Sequence, residues 1–497
     1  MSENISKYLH EDMDRQAGLE HSFHRTKIVA TVGPACNTYE KLLELVKAGA
    51  NVFRLNFSHG THEDKAEIIK LIKRINKEQP YNISILADLQ GPKLRVGDIE
   101  NGSIDLEVGD TITFSSKEKI VGTKEKVYVS YPNLHVDVKT GDKILIDDGK
   151  IEVVVIDITP DGDVKVAVSN GGKLLPKKGV NLPDTEISLP PLTEKDLADL
   201  EFIMNHVVDW VALSFVRKAE DIIDLKARLA ERNCKSKVIA KIEMPSALKD
   251  LRNIILESDG VMVARGDLGV ELPVEKVPMV QREIIRKCIH RAKPVIVATQ
   301  MMESMIENVK PNRSEITDVA NAVLEGADAV MLSAETASGK HPSLVVETMR
   351  KIIMEVERTE YRYNREEDLI PQPHSPSFLS DAICYNACKI AKDVSAQALV
   401  GMTQSGYTAF MLSSYRPKSP LYIFTKEKTL VNQLSLSWGV RAFYYAEEVS
   451  LDDIIFDQID ILKNRGFIEE GDIVVNTGST PVHLHLPTNV LKITKVE

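Results

Sequence analysis

The sequence predicts an α/β fold, a (β/α)8 TIM barrel that carries an inserted all-β domain and is followed by a C-terminal α/β domain. Eight short apolar runs rich in β-branched residues alternate with helical patterns, which is typical of parallel strands that close into a barrel. A stretch of about a hundred residues without helical periodicity interrupts this alternation after the third strand. A second series of strands and helices follows the eighth.

The eight predicted strands divide the barrel into two parts, residues 23–91 and 191–360. In order, they read "KIVATVGP" from 27, "ANVFRLNFS" from 50, "ISILADLQG" from 83, "DWVALSFV" from 209, "KVIAKIE" from 237, "GVMVARGDLG" from 260, "PVIVATQMME" from 294 and "ADAVMLSAET" from 328. Residues 92–190 between the third and fourth strands contain turn signals such as "DDGK" and "PDGD", and predict an inserted β-barrel domain. Because it enters where the βα loops gather, this domain is expected to act as a lid that excludes water.

The pattern restarts after the proline-rich "LIPQPHSPS", so residues 361–497 predict a doubly wound C-terminal α/β domain. Residues 1–22 are expected to form a helical N-terminal extension. Five cysteines are too few and too scattered for a disulfide framework. Cys384 and Cys388 lie four residues apart on a predicted helix, where core packing explains them better than a metal site.

The composition excludes several classes of protein. A formal charge of -11 argues against general binding to nucleic acid or to anionic membranes. No early apolar segment resembles a signal peptide, and no stretch approaches the length that spans a bilayer. We therefore expect a cytoplasmic protein with no nucleic-acid or membrane partner.

Polar residues stand at the carboxyl ends of the predicted strands, which is where the active sites of such barrels lie. Because they would converge on one face, a merely solvated rim explains them poorly. By strand, from the second to the eighth, they are Arg54, Asn56, Ser58 and His59; Asp88 and Arg95; Ser214 and Arg217; Lys241 and Glu243; Arg265, Gly266 and Asp267; Thr299, Gln300 and Glu303; Ser333 and Glu335.

The segment "VIAKIEMPSAL" places Lys241 and Glu243 two positions apart, so both side chains point to the same face of a strand. Glu243 and Asp267, at the ends of adjacent strands, are hard oxygen ligands suited to Mg²⁺. Arg54 and Lys241 would supply positive charge for a phosphate and for a developing oxyanion. These residue types favour phosphoryl transfer or enolate chemistry, whereas the alternative for the carboxylates is a salt bridge between Lys241 and Glu243.

Five segments resemble the signature sequences of the pyruvate kinase family: "NVFRLNFSHG", "VIAKIEMPSAL", "VMVARGDLGVELP", "ATQMMESM" and "VMLSAETASGKHP". The resemblance extends from about residue 24 to 497, and the order of domains agrees. It implies a glycolytic enzyme that transfers the phosphoryl group of phosphoenolpyruvate to ADP, giving pyruvate and ATP. There are two alternative interpretations. One is another metal-dependent barrel enzyme acting on phosphoenolpyruvate or pyruvate. The other is a non-enzymatic homologue, which would lack charges at the site.

The resemblance implies specific roles for the residues at the strand ends. Arg54 and Lys241 would bind the phosphoryl group, while Gly266, Asp267 and Thr299 would hold the substrate carboxylate. Glu243 and Asp267 would bind Mg²⁺. A proton relay through Thr299, Ser333 and Glu335 would protonate the enolate. The resemblance also implies a set of residues around the ADP phosphates: Asn56, Ser58, His59, Arg95 and Lys178. For Lys178, a solvated surface charge is the alternative.

Three further expectations follow from the resemblance. Many family members bind K⁺ through residues matching Asn56, Ser58, Asp88 and the carbonyl of Leu89, but "DLQGPKLRV", with Lys93, resembles the branch that needs no monovalent cation.

Thr403, Ser405 and Gly406 in "MTQSGYTA" resemble a phosphate-binding effector loop, with a helix cap as the alternative. The segment "NTGSTPVHLHLPTN" lacks the glycine-rich loop of members activated by fructose 1,6-bisphosphate, so another sugar phosphate or AMP is expected. The family is typically homotetrameric.

Overall fold

The computed structural model describes residues 23–358, 363–365, 369–447, 449–484 and 486–497. The predicted helical extension at residues 1–22 lies outside these ranges. Within them, the chain forms a barrel, an inserted β domain and a C-terminal α/β domain. The predicted fold class is therefore confirmed.

Eight parallel strands close into a barrel, so all eight predicted strands are present. They are β1 (Lys27–Thr31), β2 (Val52–Asn56), β3 (Ser84–Asp88), β12 (Trp210–Leu213), β13 (Lys237–Ile242), β14 (Gly260–Ala264), β15 (Val295–Ala298) and β16 (Ala329–Leu332). Their order around the barrel is β1-β16-β15-β14-β13-β12-β3-β2. Trp210, Met262 and Ile296 are among the buried side chains that fill the interior, which makes the barrel a packed core rather than a pore.

Helices surround the barrel and bury their apolar faces against its strands. Thr61 shows how the sequence fixes where one begins: its hydroxyl accepts from the Asp64 amide at 3.2 Å, and the Asp64 carboxylate accepts from the Thr61 amide at 3.0 Å. The helices are Tyr39–Ala48, His62–Glu78, Glu194–His206, Ala219–Glu231, Pro245–Lys249, Leu251–Glu257, Arg265–Glu271, Val277–Ile289, Arg313–Glu325, Ala334–Ala337 and Pro342–Glu357.

The inserted domain is built on a six-stranded sheet with a separate two-stranded pair. The elements are β4 (Ile104–Leu106), β5 (Thr111–Ser115), β6 (Lys126–Tyr128), the helix Leu134–Asp137, β7 (Lys143–Ile146), β8 (Ile151–Ile158), β9 (Val164–Asn170), β10 (Gly172–Leu174) and β11 (Val180–Asn181). The larger sheet has the order β11-β7-β8-β9-β5-β6, and β10 pairs with β4. Single bridges join Arg95 to Gly179, beside β11, and Val96 to Val129, beside β6, so one segment connects the two edges of the sheet.

The C-terminal domain has a five-stranded sheet with helices on both sides. The elements are Phe378–Asp393, β17 (Ala398–Met402), Tyr407–Ser414, β18 (Leu421–Thr425), Lys428–Gln433, β19 (Val440–Tyr444), Leu451–Asn464, β20 (Ile473–Gly478) and β21 (Val490–Lys495). The strand order is β19-β18-β17-β20-β21, of which only β21 is antiparallel. Separate apolar clusters lie against the two faces, as expected of a doubly wound sheet. Cys384 and Cys388 are buried in the first cluster, as predicted.

The C-terminal domain packs against the amino ends of the barrel strands. Arg416 pairs with Asp328, immediately before β16, at 3.0 Å, and Trp210 at the start of β12 donates to the carbonyl of Gln433 at 3.2 Å. All of these side chains are buried. This contact leaves the carboxyl ends of the strands, with their polar residues, free to form a site at the opposite end.

Candidate active site

Arg54, Asp88 and Lys241 meet at the carboxyl ends of β2, β3 and β13. Arg54 Nε lies 2.7 Å from Asp88 Oδ2, and Lys241 Nζ lies 3.1 Å from Asp88 Oδ1. The Thr31 hydroxyl at the end of β1 lies 3.1 Å from the guanidinium of Arg54. A buried carboxylate thus holds two cations side by side, as binding a phosphoryl group requires.

Lys241 is 9% exposed and also contacts Glu243 Oε1 at 2.9 Å and the Ser214 hydroxyl at 2.6 Å. Burial alone would lower the pKa of Lys241, but the negative charges of Asp88 and Glu243 raise it above its ordinary value. Burial likewise opposes ionisation of Asp88, yet Lys241 and Arg54 lower its pKa. The cluster therefore keeps its lysine charged. The salt bridge between Lys241 and Glu243 exists alongside any metal-binding role of the glutamate.

Glu243 is buried, and its second oxygen accepts from the Phe215 amide at 2.6 Å. Burial raises the pKa of the Glu243 carboxyl, and the negative charge of Asp267 raises it further, although Lys241 opposes both. Two carboxylates that repel each other at a strand end are suited to a shared cation. Among the described residues, no group of three or more His, Cys, Asp or Glu side chains could hold a metal. A metal at Glu243 and Asp267 would therefore take its other ligands from substrate and water.

Asp267 is also held by a residue from the base of the inserted domain. Lys93 Nζ lies 3.2 Å from Asp267 Oδ1, and both side chains are partly exposed. A second contact joins the same two parts of the chain, because Asn181 of β11 donates to Glu271 at 2.7 Å. The inserted domain is thus tied to the helix that carries Asp267.

Thr299 and Gln300 follow β15 with φ angles of 68° and 53°, in the left-handed region that costs energy for residues other than glycine. The Thr299 hydroxyl accepts from the Gly266 amide at 2.7 Å and donates to the Ala298 carbonyl at 2.6 Å. The structure therefore brings Thr299 and Gly266 together, as the prediction requires of a carboxylate-binding corner.

Arg265 maintains this strained turn. Its guanidinium donates to the Thr299 carbonyl at 2.7 Å and forms two bonds with the Asp318 carboxylate, at 2.6 and 2.7 Å. Sequence reasoning placed Arg265 at a strand end without assigning it a role. Only the planar guanidinium of arginine has several N–H donors arranged to bind a carboxylate and a carbonyl at the same time.

Ser333 and Glu335 lie at the end of β16. Both oxygens of the buried Glu335 accept backbone bonds, from the Ser333 amide at 2.6 Å and the Met302 amide at 3.4 Å. Burial raises the pKa of this carboxyl, although these bonds oppose the shift. Glu335 therefore links the ends of β15 and β16, behind Thr299.

The predicted nucleotide-binding residues fall into two groups. Asn56 accepts from the Ser58 amide at 3.0 Å in the turn after β2, and His59 beside them is exposed. Arg95 and Lys178 lie in the inserted domain, where Lys178 pairs with Asp147 at 2.8 Å. Within the described ranges, no hydrogen bond or ion pair joins Arg95 or Lys178 to the strand-end cluster.

The Leu89 carbonyl, expected in the monovalent-cation pocket, accepts from the Ser214 hydroxyl at 2.7 Å. That hydroxyl also contacts Lys241, so the carbonyl is connected to the cluster of Arg54, Asp88 and Lys241 through one side chain. Sequence reasoning named Ser214 but missed Thr31 and the Phe215 amide. Thr31 could have been found, because it ends the first strand as the other polar residues end theirs. The Phe215 amide has no sequence signal, since its orientation depends on a left-handed φ of 54°.

The predicted effector residues lie in the C-terminal domain, far along the chain from the barrel site. Gly406, with φ 91°, precedes the helix Tyr407–Ser414, and its amide donates to the Thr403 hydroxyl at 3.0 Å. The Tyr407 amide donates to Ser405 at 3.4 Å. Both bonds lie within the loop and at its junction with the helix, where Gly406 is the N-cap residue and no side chain makes a capping bond. The same segment borders a cavity of about 1060 Å³, which Lys426 also lines.

A closed (β/α)8 barrel with paired cations and carboxylates at its strand ends is an enzyme of the phosphoryl-transfer or enolate-forming class. Comparison with known proteins identifies the family. The barrel-domain model of pyruvate kinase matches residues 23–346, and the alpha/beta-domain model matches residues 381–494. The chain belongs to the pyruvate kinase family.

Individual relatives agree along nearly the whole chain. The pyruvate kinase of Clostridium perfringens is 41% identical over 474 residues, covering 95% of this chain and 100% of the relative. That of Corynebacterium efficiens is 42% identical over 473 residues, covering 93% and 98%. The crystal structure of a pyruvate kinase from Cryptosporidium parvum superposes with a TM-score of 0.90 at 33% identity, covering 95% of this chain and 96% of the other.

The protein is therefore a glycolytic phosphotransferase that converts phosphoenolpyruvate and ADP into pyruvate and ATP. Its family implies a divalent metal. No helix among the described residues is both long and apolar enough to cross a membrane.

Proposed function

We propose that phosphoryl transfer takes place at the strand-end cluster and that Lys241 is its central catalytic group. The observation that carries this proposal is the buried Lys241 ammonium, held between Asp88 and Glu243 with Arg54 on the same carboxylate. Arg54 and Lys241 bind the phosphoryl group of phosphoenolpyruvate. As the bond to phosphorus breaks, negative charge grows on the enolate oxygen, and the Lys241 ammonium stabilises it in a site of low dielectric.

Glu243 and Asp267 are proposed to hold Mg²⁺. Their mutual repulsion and the oxygen chemistry of both side chains support this assignment. The bound ion would neutralise charge on the substrate and polarise its oxygens. The amides of Gly266 and Asp267, with the Thr299 hydroxyl, orient the substrate carboxylate beside it, and the absence of a Cβ on Gly266 lets the backbone approach closely.

Protonation of the enolate is proposed to occur from the side of Thr299. A threonine hydroxyl is too weak an acid to act alone, so the proton would come through water from the group formed by Thr299, Ser333 and Glu335. The raised pKa of Glu335 supports this relay, because a carboxyl that retains its proton nearer neutral pH can donate it.

ADP is proposed to bind between the barrel and the inserted domain. Asn56, Ser58 and His59 would contact it from the barrel, and Arg95 and Lys178 from the lid. Both lid cations are anchored at present to other groups of their domain, to the Lys177 carbonyl and to Asp147. Lid closure over the ADP phosphates would exchange these contacts for phosphate oxygens and exclude water.

The enzyme is proposed to work without K⁺. Lys93 supplies a fixed positive charge at Asp267, at the junction of lid and barrel, so the field of a monovalent ion in the pocket of Asn56, Ser58, Asp88 and Leu89 is not required.

Assembly as a cytoplasmic homotetramer and regulation by a phosphorylated effector complete the proposal. The effector would bind through Thr403, Ser405 and Gly406, whose loop borders the large cavity of the C-terminal domain. Calorimetry with a panel of sugar phosphates and AMP tests the site. Loss of binding in Thr403→Ala and Ser405→Ala supports it, whereas unchanged binding in both contradicts it. Light scattering that gives a monomer mass at micromolar concentration would contradict the tetramer.

A coupled assay with phosphoenolpyruvate, ADP and Mg²⁺ tests the catalytic proposal as a whole. Turnover in the wild type that is lost in Lys241→Met and retained in Lys237→Met, a lysine four residues earlier on β13, supports the assignment. Wild-type turnover in Lys241→Met would refute it.

A further inference from the structure

A cavity of about 150 Å³ lies between the amino end of the barrel and the C-terminal sheet, at the opposite end from the catalytic cluster. Its walls combine aromatic side chains such as Phe443 and Phe467 with three basic groups: His24, Lys27 and Arg441. The reaction at the strand ends uses none of these groups. The cavity therefore needs a separate explanation.

Lys27, the first residue of β1, is 3% exposed. Its Nζ donates to the carbonyl of Val440 at 3.0 Å. Within the described part of the chain, no carboxylate oxygen lies within 4.0 Å of this nitrogen. A buried ammonium without a paired carboxylate is unfavourable, so the neutral amine, with a free lone pair, is the form that this site favours.

The charges around Lys27 agree with this reading. Burial, followed by the positive charge of Arg441, lowers the pKa of Lys27 to about 7; Arg25 acts in the same direction, and Glu357 and Asp328 oppose it. Half of the side chains would therefore be neutral amines near pH 7. A desolvated lysine beside another cation is the environment in which lysine acts as a nucleophile.

His24 lines the same cavity. Its Nδ1 lies 2.5 Å from the Thr26 carbonyl, and its Nε2 lies 3.0 Å from the Gly49 carbonyl. Because both partners are acceptors, only the doubly protonated ring satisfies both. Burial and the charge of Lys27 lower the pKa of His24, while Glu357 raises it. Removing the lysine charge would therefore favour protonation of the histidine.

We propose that Lys27 is a carbamylation site that captures carbon dioxide in this cavity. The Nζ lone pair attacks the carbon of CO₂ and forms the N–C bond, while the electrons of one C–O π bond move onto oxygen to give the carboxylate. The nitrogen then releases one proton, which His24 or solvent accepts. No oxidant, reductant or further reactant takes part. CO₂ suits the site because it is small and uncharged and so enters an aromatic cavity without the cost of desolvating an anion.

Arg441 is placed to stabilise the carbamate. Lys27 Nζ and Arg441 Cζ lie 5.1 Å and 4.0 Å from the centroid of the same Phe23 ring, so both cations border one ring, and after burial the charge of Arg441 is the largest influence on the pKa of Lys27. Lys27 belongs to the barrel and Arg441 to β19 of the C-terminal domain. The modification would thus replace repulsion between two cations with attraction across the interface between the domains.

The test is ¹³C NMR of the full-length protein in ¹³C-bicarbonate at pH 7.5. We expect a carbamate carbonyl signal that falls more than tenfold in Lys27→Met and at least threefold in Arg441→Gln. Lys293→Met is the matched control, because Lys293 is a partly buried amine that donates to the Ser258 carbonyl at 2.6 Å, and its removal should leave the signal unchanged. A wild type without signal, or a signal that persists in Lys27→Met, overturns the proposal.

A trapping experiment on the wild type needs no variant to fold. Triethyloxonium converts the carbamate into a stable ethyl ester, which peptide mass analysis can locate. Ethyl carbamate on Lys27 supports the proposal, whereas ethyl carbamate confined to other lysines or to the terminal amine overturns it. Trapping at Lys27 should continue down to about pH 7 and decline below, because the neutral fraction follows the pKa of about 7.

Discussion

Lys93 Nζ and Asp267 Oδ1 are 3.2 Å apart, which ties the entrance of the inserted domain to a proposed metal ligand. Lys93 lies in the loop that leaves β3, between Gly91 and the first bridge of the lid at Arg95. Asp267 lies in the first turn of the helix Arg265–Glu271. Movement of the lid would therefore change the charge next to the metal site, which couples domain closure to the electrostatics of the reaction.

Lys241→Met should lower kcat by about 10³-fold or more, because it removes a preorganised cation from the transition state. In this variant Arg54 still pairs with Asp88, at 2.7 Å, so the negative charge of the buried Asp88 keeps one cationic partner. Steady-state kinetics, with a thermal melt to verify folding, measures the effect. Lys237→Met, on the same strand but at its other end, serves as control and should retain activity.

Glu243→Gln and Asp267→Asn should each weaken metal binding by about tenfold or more, because each removes one anionic ligand. The direct measurement is a calorimetric titration of the substrate-free enzyme with Mn²⁺, followed by activity as a function of Mg²⁺ concentration. The exposed Glu303 provides a matched control as Glu303→Gln, which should bind metal normally. Unchanged metal affinity in both site variants would remove these residues from the metal site.

Arg265→Lys should lower kcat by about 10- to 100-fold, because lysine lacks the fork that binds the Thr299 carbonyl and both Asp318 oxygens together. The carboxylates proposed to bind the metal remain, so the affinity for Mn²⁺ should change little. Exchange of pyruvate methyl protons with solvent should fall with kcat, since the proposed proton relay runs through Thr299. Normal proton exchange in the variant would mean that Arg265 does not position Thr299.

Asp209→Asn should stabilise the protein at alkaline pH. Burial raises the pKa of Asp209 to about 7, although the Ile85 amide and Lys73 oppose the shift. Between about pH 4 and pH 7 the unfolded chain loses this proton while the folded chain keeps it, so the wild type loses stability as pH rises. Asparagine retains an acceptor for the Ile85 amide, which lies 2.8 Å from the carboxylate. The gain should be on the order of a few kcal/mol at pH 8 and should vanish near pH 4.

Thermal melts of the wild type and Asp209→Asn across this pH range measure the difference. Asp259 provides a control, because it also accepts a backbone amide, from Val238 at 2.9 Å, but pairs with Lys226 at 3.0 Å. Asp259→Asn should destabilise. A melting difference between Asp209→Asn and the wild type that does not change with pH would contradict the prediction.

The sequence predicted the barrel strands because each is a continuous apolar run, and buried parallel strands require such runs. It also predicted that polar residues at the strand ends would lie on one face of the barrel, since the carboxyl ends of parallel strands converge. The sequence did not predict which side chains those residues contact. Whether Lys241 contacts Asp88 as well as Glu243 depends on the register between strands and on side-chain rotamers. The pairing of Lys93 with Asp267 depends on where the lid lies, which local patterns do not encode.

The last prediction is that Lys93→Glu creates a K⁺ requirement that the wild type lacks. The substitution replaces an ammonium 3.2 Å from Asp267 with a carboxylate, so a second negative charge would stand close to Asp267, whose own charge already acts on Glu243. An added monovalent cation could compensate for this negative charge. Activity is measured in tetramethylammonium buffer with and without KCl, at constant ionic strength because surface electrostatics depend on salt. Lys93→Met separates loss of the positive charge from gain of a negative one, and should respond to K⁺ less than Lys93→Glu. A strong rise in wild-type activity on adding K⁺ would show that Lys93 does not replace the ion.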